Sequence, residues 1–323
     1  MTVKRYNFPM QNTFGFLNIN KPSGCTSHDV VAMLRRSLGI KKIGHSGTLD
    51  PFATGVLLIG IGNATRLFEY LPSDKVYLAE ITFGIRTDTD DITGKVIQTS
   101  DYIPSIDEIT KTLQQFSGKI KQKPPAFSAI NINGTRAYKL ARENQISVDD
   151  LKEREIEIYS IEIVSNKVES SALGGTYHGK PLLRIHCSSG TYIRSIARDL
   201  GNILNTCAIL SKLERIKIGS GFLIEQSISP GLIDKATISN YLILPQQVLE
   251  LEKLHIDSKQ INELFHGREI KTSSDFTLNI NTNLQILDNS DRLIGIGLLT
   301  ENSVLKPKKI FLKEKEEISN DKN

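Results

Sequence analysis

The segment GHSGTLDPFATG, Gly44 to Gly55, holds a single carboxylate, Asp50, set between a leucine and a proline. Pro51 fixes its own φ and biases Asp50 toward extended geometry, and the glycines let backbone approach closely. A carboxylate held this stiffly can act as a nucleophile toward a carbon centre. It reads equally as an Asx-type turn residue ahead of Pro51. Covered by a substrate, it would need a cationic partner to stay ionised. Arg194, in CSSGTYIRSIARD, is the candidate partner. A glycine turn into a helix aims a first-turn side chain at a cleft, and a guanidinium fork fits a carboxylate. An ordinary surface pair, such as Arg198 with Asp199, is the alternative for an arginine here. Tyr77 is either a core tyrosine or, at a cleft edge, a ring that stacks on a base with a hydroxyl that moves a proton. Tyr192 carries the same two readings. His45 stacks on an unstacked nucleic acid or simply bonds within its loop.

Placing these side chains requires a definite set of elements. FGFLNINKPSG reads as a short strand ending in a turn. TSHDVVAMLRRSLG reads as a helix capped by Thr26 or Ser27, with Val30, Leu34 and Leu38 at four-residue spacing and Gly39 as its stop. VLLIGIG is a buried strand, and KVYLAEITFGI a second one that puts Tyr77, Ala79, Ile81 and Phe83 on one face. RTDTDDITG is a polar turn; it lacks the spacing and terminal glutamate of a calcium loop. Ile106 to Phe116 is helical, and strands resume with REIEIYSIEIVS and PLLRIHCSSG around a flexible hairpin, SALGGTYHGK. TYIRSIARDLGNIL is a helix with Ile193, Ile196, Ala197 and Leu200 on one stripe. This mixture indicates an α+β fold around one sheet. ISPGLIDKATISN is a linker candidate, and beyond it REI, FTLNI, LQIL and RLIGIGLL are strands of a small β-barrel or sandwich.

Composition bounds the function. The chain has 323 residues, 39% of them hydrophobic, and a net charge of +4, which leans toward a polyanionic partner. From Lys111 to Lys152 there are eight Lys or Arg against three Asp or Glu, interleaved with Phe127 and Tyr138. Cations position phosphates while aromatics grip bases, so Arg136, Lys139 and Arg142 suit RNA; a solvated charged face is the alternative. The three cysteines, Cys25, Cys187 and Cys207, fit neither a disulfide framework nor a zinc knuckle, and point to a reducing compartment. No CxxC or HExxH supports a metal, and no GxGxxG or GxxxxGK[ST] a nucleotide cofactor. No run approaches the roughly 18 apolar residues of a membrane helix, and the expected location is the cytoplasm.

GFLNINKPSGCTSHDVV, GHSGTLDPFATGVLLIGIGNATRL, KVYLAEITFGIRTDTDDITG, PPAFSAI and IHCSSGTYIRSIARDLG occur in that order, between about Phe14 and Gly221. Together they resemble the TruB family of pseudouridine synthases, which in bacteria convert uridine 55 of the tRNA T loop to pseudouridine. The resemblance implies a central mixed, mostly antiparallel sheet followed by a small PUA-like β domain. It implies Asp50 as the catalytic aspartate, Arg194 as its partner, Tyr77 as the tyrosine stacking on the target base, and Tyr192 as a second aromatic. His45 resembles a residue that holds the everted T loop, Leu213 one lining the uracil pocket, and Lys21 with Pro22 the motif bracing the catalytic loop. Residues 124–142, with Phe127, resemble a segment that clasps the T loop. The family's usual YSAL reads FSAI here, so any hydroxyl contact at Phe127 is lost, and the 171–181 turn is long for the family. The expected division is a leader at 1–13, a catalytic domain at 14–252 with an RNA-clasping insertion at about 119–150, a PUA-like domain at 253–308 and a flexible tail at 309–323. The expected partner is tRNA, bound by a monomer that needs neither metal, cofactor nor a second protein. A synthase for another RNA and a pure RNA-binding or folding module are the rival readings.

Overall fold

A computed structural model describes residues 14–311 except 133, 144, 170–177 and 273–278. The leader, most of the SALGGTYHGK hairpin, part of FTLNI and most of the lysine-rich tail lie outside the described residues.

The chain begins with β1 (Gly15–Lys21), α1 (Ser27–Leu38), β2 (Ile43–His45), β3 (Thr54–Ile61) and β4 (Lys75–Phe83). Thr26 is the N-cap of α1, in a reciprocal capping box with Asp29, and Gly39 closes the helix in the left-handed region. Ser27 turns inward instead. Val30, Val31, Leu34 and Leu38 are buried on one face, each contributing roughly 1.5–3 kcal/mol by leaving water. A small hairpin of β5 (Ile85–Thr87) and β6 (Val96–Thr99) encloses RTDTDDITG; then come α2 (Ile106–Leu113) and β7 (Gly118–Gln122). The basic segment is short and irregular: β8 (Asn131–Ile132), β9 (Thr135–Arg136) and α3 (Ala137–Arg142). The long antiparallel pair β10 (Arg154–Glu169) and β11 (His178–Cys187), α4 (Ile193–Ile203), β12 (Ala208–Ile218) and β13 (Phe222–Leu223) complete the larger domain.

The main sheet has nine strands in the order β1-β3-β12-β4-β11-β10-β7, with β2 added to β3 and β13 to β12. Only the β12–β3 pairing is parallel within it. The late strand β12 inserts between two early ones. Arg215 is thereby set opposite Tyr77 on one side and Gly55 on the other, and Leu213 opposite Ala79. Helices α2 and α4 cover one face, where Ile109, Leu113, Ile193, Ile196, Ala197 and Leu200 join Tyr77, Ala79, Ile81 and Phe83 in a single core. The linker candidate is packed rather than free: Ile233 and Ile238 are buried with α1 and β1, because their spacing gives apolar anchors to a face α1 leaves open.

The C-terminal unit is a five-stranded sheet, β14 (Glu252–His255), β15 (Ile270–Lys271), β16 (Asn283–Leu287), β17 (Leu293–Leu299) and β18 (Val304–Ile310), ordered β14-β16-β17-β18-β15. It carries a helix, α5 (Ser258–Phe265), which a strand-only reading overlooks; the signal is the Asp257/Gln260 capping box ahead of Ile261 and Leu264. Leu287, Leu293 and Ile296 share one apolar cluster with Phe16, Val56, Ile218 and Phe222 of the larger domain. Phe14 meets Phe311 at 5.2 Å between ring centroids, and Lys309 pairs with Glu69. Among the described residues no helix is long and apolar enough to cross a membrane.

Candidate active site

Asp50 occupies the loop between β2 and β3, and neighbouring elements hold that loop from both sides. The Ser27 hydroxyl accepts from the Leu49 N–H at 2.9 Å, so the start of α1 is stitched to the residue before Asp50. The Pro51 carbonyl accepts from the Gly24 N–H at 2.8 Å and from the Lys21 ammonium at 3.3 Å. Lys21 is fully buried and spends its other donors on the carbonyls of Pro22 at 2.8 Å and Cys25 at 2.7 Å. It is therefore a brace beneath the loop, and no RNA can reach it; its grouping with RNA-contacting residues is corrected to that extent. Burial holds its ammonium below the ordinary lysine value.

From the other side, the wholly buried Arg215 on β12 donates from Nε to the Val56 carbonyl at 2.7 Å and from Nη2 to the Gly47 carbonyl at 3.1 Å. One guanidinium thus spans both flanks of the Asp50 loop. The β12–β3 approach is close enough that a Cβ on Gly55, whose φ is +102°, would lie 2.3 Å from the Arg215 carbonyl oxygen. Only glycine fits there.

The Arg194 guanidinium meets Asp50 from above, with Nη2 at 3.0 Å from Oδ1. The same nitrogen donates to the Phe127 carbonyl at 3.0 Å, so the residue that departs from YSAL offers the site its backbone, independent of the ring. Nη1 donates to the Thr89 carbonyl at 3.1 Å and lies 3.4 Å from Asp91 Oδ2. Asp91 Oδ1 in turn accepts from both hydroxyls of Thr89 and Thr93 and from the Thr93 N–H. RTDTDDITG is thus no mere solvated turn: Asp91 and Asp90 are buried, and Asp90 pairs with Arg198 at 3.1 Å. Arg198 also pairs with Asp199 at 2.9 Å, the partner the local alternative names, but Arg198 is buried and the pair is not the surface one expected. Sequence reading missed Asp90, Asp91 and Arg215. The available signal was a carboxylate pair immediately after a strand, with two well-spaced arginines on a later helix.

The Asp50 side chain is 29% exposed, open enough to be touched. Burial still pushes its carboxyl above the ordinary aspartate value; Arg194 pulls it down and Asp91 pushes it up. The arginine therefore opposes desolvation without overcoming it, a weaker effect than the sequence suggests. Tyr77 is buried with Leu49, Ala53 and Leu213, and desolvation raises its phenol. Tyr192 is half-buried at the N-cap of α4, its phenol likewise raised by burial. His45 is half-buried at the loop's entry; its Nδ1 accepts from the Gly47 N–H at 3.3 Å, and burial lowers its pKa, with Arg215 and His28 adding to the effect. Lys75, two residues before Tyr77, is buried beside Arg215 and Gly47, and desolvation lowers its ammonium to about 8.

Asp50, Arg194, Tyr77 and Leu213 thus converge, with Tyr192, His45 and Phe127 around them. Arg136, Lys139 and Arg142 do not join this centre. They are exposed on the basic segment, where Arg136 bonds the Ala129 carbonyl and Arg142 lies over the Tyr138 ring at 5.7 Å. Among the described residues no three His, Cys, Asp or Glu side chains converge as a metal would need. A fixed carboxylate beside a packed apolar cluster, with an aromatic and a guanidinium in attendance, suits attack on or stabilisation of an electron-poor carbon.

Two family descriptions match this chain: TruB family pseudouridylate synthase (N terminal domain) over residues 35–193, and Pseudouridine synthase II TruB, C-terminal, over residues 253–311. A tRNA pseudouridine synthase B of Acaryochloris marina is 38% identical, covering 92% of this chain and 98% of that protein. Its namesake in Borreliella burgdorferi is 39% identical over 88% and 96% respectively. Among solved structures, a Cbf5–Nop10–Gar1 complex superposes with a TM-score of 0.66 at 23% identity, covering 97% of this chain and 91% of the other. An H/ACA RNP bound to a substrate RNA containing 2'-deoxyuridine gives 0.64 at 22% identity, covering 98% and 92%. These structures share the pseudouridine synthase fold. Matched in both of its domains, and 38–39% identical to those relatives along about nine-tenths of its length, the chain belongs to the TruB family of pseudouridine synthases.

Proposed function

We propose that this chain converts uridine 55 in the T loop of tRNA to pseudouridine. The observation that carries the reading is the Asp50–Arg194 pair at 3.0 Å, set in a loop braced by Lys21, Ser27 and Arg215 beside Tyr77 and Leu213. The relatives named tRNA pseudouridine synthase B support the substrate class.

In this isomerisation the N1–C1′ bond breaks, the base turns, a C5–C1′ bond forms, and the C5 proton leaves while N1 gains one. Nothing is oxidised and no atom is added, so the balance calls for no cofactor. The uridine leaves its stack first, at a cost of about a few kcal/mol that a loop makes smaller than a duplex would. Asp50 then assists cleavage, either by adding to C1′ or through a glycal-like route. Tyr77 stacks on the base and is positioned to move a proton, while Leu213 lines the uracil pocket. Arg194 favours the ionised Asp50 against the desolvation that opposes it. Tyr192, His45 and Phe127 hold the everted loop, and Arg136, Lys139 and Arg142 bind its phosphates from the clasping segment. The C-terminal sheet adds affinity by contacting the rest of the tRNA. The chain works as a monomer in the cytoplasm.

The test is a T-arm stem-loop carrying tritium at C5 of its uridines. Wild type is expected to release one equivalent per RNA, and Asp50→Asn none while still binding. Binding without release by the wild type would sink the catalytic reading in favour of a binding module. Release that survives removal of uridine 55 would move the target elsewhere.

A further inference from the structure

Gln122, the last residue of β7, has no role in the chemistry above, yet it is buried and both ends of its side-chain amide are hydrogen-bonded to one residue. Oε1 accepts from the Tyr192 N–H at 2.8 Å, and Nε2 donates to the Tyr192 carbonyl at 3.1 Å. One amide therefore reads both backbone groups of a single residue 70 positions away, as a neighbouring strand would. That residue is the N-cap of α4, and α4 has no side-chain cap of its own. Arg194 follows two residues later.

The residues after Gln122 repeat the pattern. The Lys123 carbonyl accepts from the Ser195 hydroxyl at 2.8 Å and from Arg198 Nη2 at 2.8 Å. The Phe127 carbonyl accepts from Arg194 itself. Segment 122–127 is the root from which the exposed basic residues Arg136, Lys139 and Arg142 extend. The start of α4 is thus defined by the base of the basic segment.

We infer that Gln122 is a positioning residue for the isomerisation: it fixes the first turn of α4, hence the reach of Arg194 to Asp50, and ties that reach to the root of the RNA clasp. The inference rests on the T-loop reading only for its turnover assay. A methionine keeps the length of Gln122 and loses both hydrogen bonds; a glutamate keeps the acceptor for the Tyr192 N–H and sets a carboxylate against the Tyr192 carbonyl.

The experiment uses the full chain carrying Gln122→Met or Gln122→Glu, with single-turnover tritium release from the T-arm stem-loop, filter binding and thermal unfolding. Gln122→Met is expected to slow turnover about tenfold or more. Its RNA affinity should stay within about threefold of wild type, because the exposed cations are untouched. The acid limb of its rate profile should move to higher pH, since Asp50 loses part of the cation that lowers its pKa. Gln122→Glu, which buries a carboxylate against the Tyr192 carbonyl, should lose at least as much rate as Gln122→Met. A folded Gln122→Met that turns over at the wild-type rate overturns the inference. So does a uniform loss of rate, affinity and melting temperature with the acid limb unmoved, which marks a merely structural residue. A carbon-13 NMR titration of Asp50 in the free chain keeps the two readings separable. An upward shift in Gln122→Met supports the positioning role even if the wild type proves inactive on this RNA, and no shift sinks it.

Discussion

Asp91→Asn separates the two jobs that the polar turn performs for Arg194. Asp91 Oδ1 is held by Thr89 and Thr93 donors, so an asparagine keeps its oxygen there and turns its NH2 toward the guanidinium. A donor then faces a donor. At 3.4 Å, and with an effective dielectric of about 20, the lost attraction is ~5 kcal/mol gross. Arg194 keeps Asp50 and two carbonyls, so we take the net cost as about 3 kcal/mol, at the low end for breaking a buried pair. For a domain of this size that lowers Tm by about 6–12 °C. Turnover should fall about 3- to 10-fold: Arg194 keeps its contact with Asp50, but its other nitrogen loses the carboxylate that fixes the guanidinium plane.

The pH dependence runs the other way from the Gln122 variants. Burial and Asp91 both hold the Asp50 carboxyl above its ordinary value of 3.8. The reaction draws on ionised Asp50, so wild-type activity falls as pH drops through that raised value. Removing the Asp91 charge takes away one of the raising influences, and the acid limb moves to lower pH even as the maximal rate drops. Rate profiles from pH 4 to 8 on the T-arm stem-loop, with a melting curve at each end, measure both. A limb that stays put or rises, or a variant with unaltered rate, would refute the coupling of Asp91 to Asp50 through Arg194.

Two other perturbations bear on the frame and on the RNA. Gly55→Ala places a Cβ against the Arg215 carbonyl in a left-handed backbone, so it should cost several times the roughly 1 kcal/mol of an ordinary backbone strain; a denaturant melt within about 0.5 kcal/mol of wild type would contradict that. Replacing Arg136, Lys139 and Arg142 by alanine together should weaken tRNA binding and flatten its salt dependence by about 0.7 per lost phosphate contact, with saturated turnover retained. An unchanged salt slope would show those cations to be a solvated face.

How much of this was legible depended on where each residue's partner lies. The helix α1 was readable because everything it needs is local: Thr26 and Asp29 cap it, Gly39 ends it, and its buried face follows the helical period. The Tyr77 face of β4 was readable for the same reason. Asp50 stood out because Pro51 and the flanking glycines restrict its own backbone, and Arg194 because a helix start confines where it points. Asp91 and Asp90 did not, because three acids in four positions look solvated and only burial distinguishes a paired carboxylate from a free one. Helix α5 was passed over because eight residues between short strands give too little periodicity to outweigh their surroundings.

The sequence by itself determined the local elements, the order of the motifs, the lone restrained carboxylate and the basic segment beyond β7. Local pattern left Asp50 and Arg194 each with an ordinary and a functional reading, and the resemblance of the ordered motifs to the TruB family chose between them. Only the tertiary structure decided what each charge faces. Insertion of β12 between β3 and β4 put Arg215 beneath the Asp50 loop, and docking of α4 onto that sheet gave Arg194 two carboxylates and two carbonyls. The physical reason is that helix and turn formation depend on neighbours a few residues apart. The ionisation and reach of a buried side chain depend instead on desolvation and on partners that chain folding brings from more than a hundred positions away.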